Sequence, residues 1–416
     1  MMKRNVFTPL RNRSYRTFFL SQIFADLGNW LDLLAIGALI TFTWNLGLAA
    51  NSAAVIAMGA PFLFVGPLAS VWVDRLSCRT VLLLSTGLRI LVIAGFLLAP
   101  NLYVLLPLIF LKSSLASVIE PARQSMLRHL VDQEEMAEAS SLGQMVNNGM
   151  KMIGPALGGL LLTYSSTTAV FAVEGVLFVI ALLIMLRLPF IPAAAVNREL
   201  DGKPSFTREV TEGIRFLFGN RLMRSAVMIV GLSMFIIFLY DGFFPPLIKL
   251  LGLDVMDYGL VTAALGCGSV CGALLVGQFT AWRRNPILFM AFGRIVSGLQ
   301  LLIVAGGAIY GIGYGNTIFW VINFAFAGAV GVGMTVPYAY LIQTQTPPEL
   351  IGRVSAVAMA VQGIAILTAP SIGAVLGEWL GLGWVFGLAG ALTVLLGVAS
   401  TLQSREKKDL TVSVRS

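Results

Sequence analysis

Leu106-Pro107-Leu108-Ile109-Phe110-Leu111-Lys112-Ser113-Ser114-Leu115-Ala116 reads as part of an apolar helix interrupted by one lysine. A bare ammonium at bilayer depth is costly, so Lys112 is expected to face a wet cavity or a carboxylate, and an intramembrane charge of this kind marks function. The chain repeats such runs about a dozen times. Hydrophobic residues make up 57% of its 416 positions and charged residues 12%, well below the roughly 25% charged of an ordinary soluble domain. Mean hydropathy is +0.86. These values predict a polytopic membrane protein, with helices as the spanning elements because they satisfy their own backbone groups.

A span needs about 20 apolar residues, and twelve candidates fall at 17–44, 51–73, 80–99, 102–127, 139–163, 167–188, 222–249, 256–281, 286–310, 316–343, 352–378 and 381–402. Basic residues collect in alternate loops: Lys3, Arg4, Arg11, Arg13 and Arg16 before the first span, Arg75 and Arg79 after the second, Arg123 and Arg128 after the fourth. Arg198, Lys203, Arg208, Arg215, Arg221 and Arg224 follow between the sixth and seventh, and Arg405, Lys407 and Lys408 close the chain. The positive-inside bias then places both termini in the cytoplasm and accounts for the net charge of +8 without a nucleic-acid partner. Basic residues precede the first span without a small-residue cleavage site, so no removable signal peptide is expected. Three cysteines and one histidine do not suggest a disulfide framework or a metal cage. Cys267 and Cys271 sit beside Gly268 and Gly272, where close helix packing is expected.

The polar stretch from Pro189 divides the chain into an N-terminal six-helix bundle (1–188), a cytoplasmic linker (189–221) and a C-terminal six-helix bundle with a short cytoplasmic tail (222–416). Pro155, Gly158, Phe171 and Gly175 recur 215 residues on as Pro370, Gly373, Phe386 and Gly390, and Glu134 as Glu349. One conserved register across these pairs implies an internal duplication, a known transporter layout. Enzymatic chemistry has no visible seat: there is no phosphate-binding Gly-x-x-x-x-Gly-Lys-Ser/Thr and no His-Glu-x-x-His.

Over nearly all its length the chain resembles the major facilitator superfamily, in particular its drug:proton antiporter branch. Ser70-Val71-Trp72-Val73-Asp74-Arg75-Leu76-Ser77-Cys78-Arg79 is similar to the family's Gly-x-x-x-Asp-Arg-x-Gly-x-Arg/Lys loop, with serines for both glycines. Glu120-Pro121-Ala122-Arg123, and Gln343-Thr344-Gln345-Thr346-Pro347 with Gly352-Arg353, also resemble stretches of this branch. Gly154-Pro155-Ala156-Leu157-Gly158-Gly159 resembles the core of its antiporter motif. The resemblance implies an all-α fold of twelve transmembrane helices in two pseudo-symmetric six-helix bundles. It implies that spans one, four, seven and ten line a central cavity, and that Asp74, Arg75 and Arg79, with Glu120 and Arg123, latch a cytoplasmic gate.

The deep charges are the candidate machinery. Asp26 and Asp32 are six residues apart on span one and so point about 120° away from each other. Asp26 and Lys112 are expected near the midplane as a coupling pair, in which protonating Asp26 releases Lys112 and biases the conformational equilibrium. Asp32 is expected nearer the outer vestibule. Lys151, three residues before Gly154, either receives an anionic substrate, pairs with a span-one aspartate or snorkels. Arg89 and Arg294 occupy equivalent places in the two halves, with Glu174 the expected partner of Arg89. Asp241 is an expected outer gate. Asn323, Tyr338, Tyr340 and Gln362 are the expected substrate surface, and the 26 phenylalanines and 16 methionines suit an adaptable apolar lining.

Together these features predict a secondary exporter of amphipathic or hydrophobic small molecules, multidrug- or macrolide-like, working by proton antiport in a prokaryotic plasma membrane. That membrane would be the inner one in a Gram-negative cell. Siderophore export, lysophospholipid transport and a non-transporting receptor or scaffold are the alternatives. No cofactor is expected beyond an ion gradient, of protons or else sodium, and the partners are the lipid bilayer and the substrate, with a monomer as the functional unit.

Overall fold

The computed structural model of the chain describes residues 7–73, 76–191, 215, 221–345 and 348–413. Every regular element among them is helical. The helices are α1 (Arg13–Ala38), α2 (Leu48–Val73), α3 (Cys78–Leu98), α4 (Leu102–Leu130), α5 (Met136–Tyr164) and α6 (Thr167–Met185), then α7 (Arg221–Phe238), α8 (Phe244–Leu250), α9 (Val255–Gln278), α10 (Pro286–Tyr310), α11 (Thr317–Gln345), α12 (Pro348–Leu380) and α13 (Leu382–Ser413). A π turn over Leu39–Thr43 extends α1, and a short 3-10 turn over Asp241–Phe243 joins α7 to α8.

Eleven of the helical segments are long and apolar enough to cross a bilayer, with α7 and α8 contributing one span over Val230–Leu250. The remaining expected span is α5. At 29 residues it reaches about 43 Å, ample for the crossing, but Gln144, Asn147, Asn148 and Lys151 make its central turns less apolar than the others.

The chain separates into two compact units, one of Met1–Asn45 with Ile56–Lys203 and one of Leu46–Val55 with Pro204–Ser416. Within the first, α1 packs on α5 and α6, and α3 on α4 and α6; within the second, α7 packs on α12 and α13, and α10 on α11 and α13. The pairing scheme of the first unit thus recurs in the second, as the register of repeated glycines and prolines implies. Sequence supplies the means of close approach. A Cβ on Gly268 would lie 1.9 Å from the Ala325 carbonyl oxygen, and one on Gly272 would lie 2.3 Å from that of Ala329, so only glycine lets α9 and α11 meet backbone to backbone. Cys267 and Cys271 face outward and take no part.

The first unit is closed at the end bearing the start of α1 by a core of Tyr15, Phe18, Val81, Leu82, Ala122, Met126, Leu130, Ala139, Leu142 and Met185, drawn from α1, α3, α4, α5 and α6. Asn12 caps α1 by accepting from the Ser14 and Tyr15 amides at 2.9 and 3.2 Å and donates to the Leu130 carbonyl at 2.8 Å. The Tyr15 hydroxyl donates to the Ala139 carbonyl at 3.0 Å. These bonds fix the depth of α1 against α4 and α5, and with it the register of the charges that α1 carries.

Candidate functional site

Gln22, Asp26, Asn29 and Asp32 follow one another on α1 at spacings of four, three and three residues, which winds them around about a third of the helix circumference. Each meets a basic partner from another helix of the same unit. Asp26, 2% exposed, accepts from both terminal nitrogens of Arg123 on α4, at 2.8 and 3.1 Å. Gln22 accepts from the same guanidinium at 3.0 Å. One fork thus serves a carboxylate and an amide, the planar recognition for which arginine is suited.

One level further along α1, the Lys112 ammonium of α4 donates to Asp32 and to Glu174 of α6. Glu174 is fully buried, Lys112 and Asp32 nearly so. Phe96 and Phe178 flank the ammonium, both ring centroids 5.9 Å away. Arg89 of α3 donates to Asn29 and lies over the Phe178 ring at 4.4 Å. Asp32, Glu174, Lys112 and Arg89 therefore form a buried set whose formal charges sum to zero. The second oxygen of Glu174 and Nε of Arg89 have no hydrogen-bond partner among the described residues. Removing one member of such a set leaves a buried charge uncompensated, which costs about 3–5 kcal/mol.

This arrangement corrects the expected pairing. Asp26 does not meet Lys112; Arg123 takes it, and Asp32, expected in an outer vestibule, is the span-one partner of Lys112. The reason is the antiparallel run of α1 and α4, in which advancing along one helix means retreating along the other. Lys112 and Arg123 are eleven residues apart and so share a face of α4 at two depths about 16 Å apart. Arg123, at the later end of α4, necessarily meets the earlier aspartate. Arg123 accordingly turns into the helix packing, and it also lies 3.8 Å from the exposed carboxylate of Glu120, one turn earlier on α4. Glu174 binds Lys112 rather than forming an ion pair with Arg89. The amide partners Gln22 and Asn29 were overlooked in the sequence, although their helical spacing with Asp26 was the available signal.

Gly154 and Gly158 seat α1 beside this cluster: a Cβ on Gly154 would lie 2.4 Å from Cβ of Trp30, and one on Gly158 would lie 3.0 Å from a Leu34 methyl. The Gly159 carbonyl accepts from Thr163 at 2.9 Å. Arg79 donates to the Leu186 carbonyl at 2.6 Å, tying the start of α3 to the end of α6. Asp74 and Arg75 lie outside the described residues, as do the side chains of Lys151 and Pro155.

The four residues of the expected substrate surface lie on α11 and α12 of the second unit. Asn323 accepts from Gln300 at 2.7 Å as a brace between α11 and α10. Tyr340 stands edge-on to Trp282 at 5.4 Å, while Tyr338 packs against Val230 and Met290. Gln362 is half-buried on α12. Asp241 is exposed at the start of the turn between α7 and α8, where a Cβ on Gly242 would lie 2.7 Å from Val55.

Membrane-length helices in two units with one pairing scheme, the first of them holding an internally neutralised charge network, define a multi-pass membrane protein. The model of the Major Facilitator Superfamily matches residues 18–370, and the chain belongs to that family. It is 26% identical over 394 residues to the uncharacterized MFS-type transporter YfiS of Bacillus subtilis (strain 168), covering 93% of this chain and 92% of that protein. It is 22% identical over 382 residues to macrolide efflux protein A of Streptococcus pyogenes, covering 86% and 89%. Enterobactin exporter EntS of Escherichia coli O127:H6 is 24% identical over 357 residues, covering 82% and 80%. Among solved structures, the nucleoside transporter NupG matches with a TM-score of 0.71 at 14% identity, over 93% of this chain and 98% of that one. A D-xylose-proton symporter matches at 0.68 and 16%, over 92% and 97%. These two likenesses concern the fold.

Proposed function

We propose that this transporter is a secondary exporter that moves amphipathic or hydrophobic small molecules outward by alternating access, in exchange for protons. Efflux is supported by the relatives named for macrolide efflux and enterobactin export. Coupling is supported by one observation above all: a single ammonium held between two buried carboxylates from two other helices. A proton delivered to Asp32 or Glu174 cancels one of the two attractions on Lys112. It changes the net charge of the set from zero to plus one, so the free energy joining α1, α4 and α6 depends on proton occupancy. A conformational equilibrium that differs in access to these carboxylates is thereby biased by the gradient.

In this reading the protein works as a monomer in a prokaryotic plasma membrane, with both termini cytoplasmic and no cofactor beyond the proton gradient, sodium being the other candidate ion. Dedicated export of a siderophore or transport of a lysophospholipid is the second reading, favoured by the name of the enterobactin-exporting relative for the first of these cargoes.

The test is transport by the purified protein in proteoliposomes under an imposed pH gradient, with a macrolide, a dye, a siderophore and a lysophospholipid as cargoes and an internal pH reporter. Cargo movement with opposite proton flux is expected, and Glu174→Gln and Asp32→Asn should abolish gradient-driven accumulation. Cargo movement without proton flux, or unchanged gradient dependence in both variants, would overturn proton antiport.

A further inference from the structure

The second unit repeats the arginine of the first without its carboxylates. Arg294 of α10 is 2% exposed, and its Nε donates to the Ser233 hydroxyl of α7 at 3.0 Å, much as Arg89 of α3 donates to Asn29 of α1. Arg89, however, lies within electrostatic reach of Glu174, Asp32 and Asp26, whereas no carboxylate among the described residues plays that part for Arg294. The 215-residue register that relates the halves puts Ala389, also fully buried, where Glu174 stands. Both terminal nitrogens of Arg294 are buried and have no hydrogen-bond partner among the described residues.

A second orphan lies on α11 of the same unit. The Tyr338 hydroxyl of α11 is buried and likewise without a partner among the described residues, and Tyr338 and Met334 pack against Met290 and Val230. Met290 is one helical turn from Arg294 on α10, and Val230 less than one turn from Ser233 on α7. Tyr338 thus packs against an apolar, methionine-rich cluster of α7, α10 and α11, and Arg294 stands one turn along α10 from its Met290.

We propose that Arg294 and Tyr338 form a receptor for an oxyanion, a carboxylate or phosphate, within the second unit. Two free N–H donors in one plane match the two oxygens of such a group. The phenol adds a third, neutral donor, and the surrounding methionines and valine accept the apolar part of an amphipathic anion. A soluble organic anion and a phospholipid headgroup present the same oxygens. The bound anion supplies the counter-charge that Glu174 and Asp32 supply in the first unit.

The test uses the full-length protein in nanodiscs of phosphatidylcholine alone or with phosphatidylglycerol, titrated with benzoate and with inorganic phosphate, with thermal unfolding as the readout. A saturable rise in unfolding temperature is expected for the wild type. Arg294→Gln should weaken it at least tenfold and Tyr338→Phe severalfold. Ser233→Asp, which brings a carboxylate to the guanidinium without altering it, should fold and lose the response as completely as Arg294→Gln. A response to benzoate or phosphate in phosphatidylcholine supports the site with a soluble anion as ligand. A response that instead follows the phosphatidylglycerol fraction, and needs Arg294, supports it with the headgroup as ligand. No shift from any of these anions, or shifts equal in wild type, Arg294→Gln and Ser233→Asp, would overturn it. No gradient is involved, so failure here leaves proton antiport standing, and failure of antiport leaves this site standing.

Discussion

Lys112→Met removes an ammonium while keeping most of the side chain's length, and it isolates the electrostatic role of the cluster. The wild-type set of Asp32, Glu174, Lys112 and Arg89 sums to zero, the variant to minus one. Asp32 and Glu174 both lose their hydrogen-bonded cation, while the lining of Phe96 and Phe178 offers no replacement donor. The expected loss is about 3–5 kcal/mol, the cost of leaving a buried charge without its partner. Glu174→Gln alone moves the sum to plus one and weakens a charged hydrogen bond, an expected loss of about 1.5–3 kcal/mol. The double variant Lys112→Met/Glu174→Gln returns the sum to zero, with Arg89 still within electrostatic reach of Asp32. It should therefore lose less than the two single changes combined, with a coupling of about 2 kcal/mol. Unfolding by titration with sodium dodecyl sulfate in mixed micelles, followed by tryptophan fluorescence, measures all four corners of the cycle. A loss below about 1 kcal/mol for Lys112→Met, or strict additivity in the double variant, would refute the description of these groups as one electrostatic unit.

Arg123→Lys keeps the charge but not the fork that reaches Asp26 and Gln22 together; it should lose about 1–2 kcal/mol in the same assay, and Arg123→Ala should lose more. Equal stability of the lysine variant and the wild type would show that charge alone suffices there. Gly154→Ala forces a methyl into the Trp30 side chain of α1 and should cost about 1–3 kcal/mol and slow transport, whereas Gly143→Ala, with open space around its Cα, should do neither; equal effects would remove helix approach as the role of Gly154. Gly268→Ala drives a methyl against the Ala325 carbonyl and should lower the yield of folded, monodisperse protein on size-exclusion chromatography, and a wild-type elution profile and yield would contradict backbone contact between α9 and α11.

Much of this protein was legible in its sequence because the bilayer imposes simple rules. Span lengths follow from hydrocarbon thickness, which is why eleven spans satisfy length and apolarity outright, while α5 falls short through its own polar residues. The recurrence of Pro155, Gly158, Phe171 and Gly175 as Pro370, Gly373, Phe386 and Gly390 was readable as a repeat because close helix contacts tolerate few residue types. Lys112 announced a charge site from its neighbours alone, since lipid offers an ammonium no alternative. Even the divergence of Asp26 and Asp32 followed from 100° per residue.

Only the tertiary structure decided which partners met. Helical periodicity sets the direction of a side chain about its own axis, but says nothing of the axial offset or rotation of one helix against the next. Those depend on the sum of small-residue contacts and on caps such as Asn12 to Leu130. That offset gave Asp26 to Arg123 and Asp32 to Lys112, and it brought Glu174 from α6 to the ammonium, leaving Arg89 to Asn29. The same lack of long-range information hid the contrast between Arg89 and Arg294. The two arginines look alike in sequence, and they differ because acidic residues far away in the chain fold back to Arg89, while none among the described residues does so to Arg294.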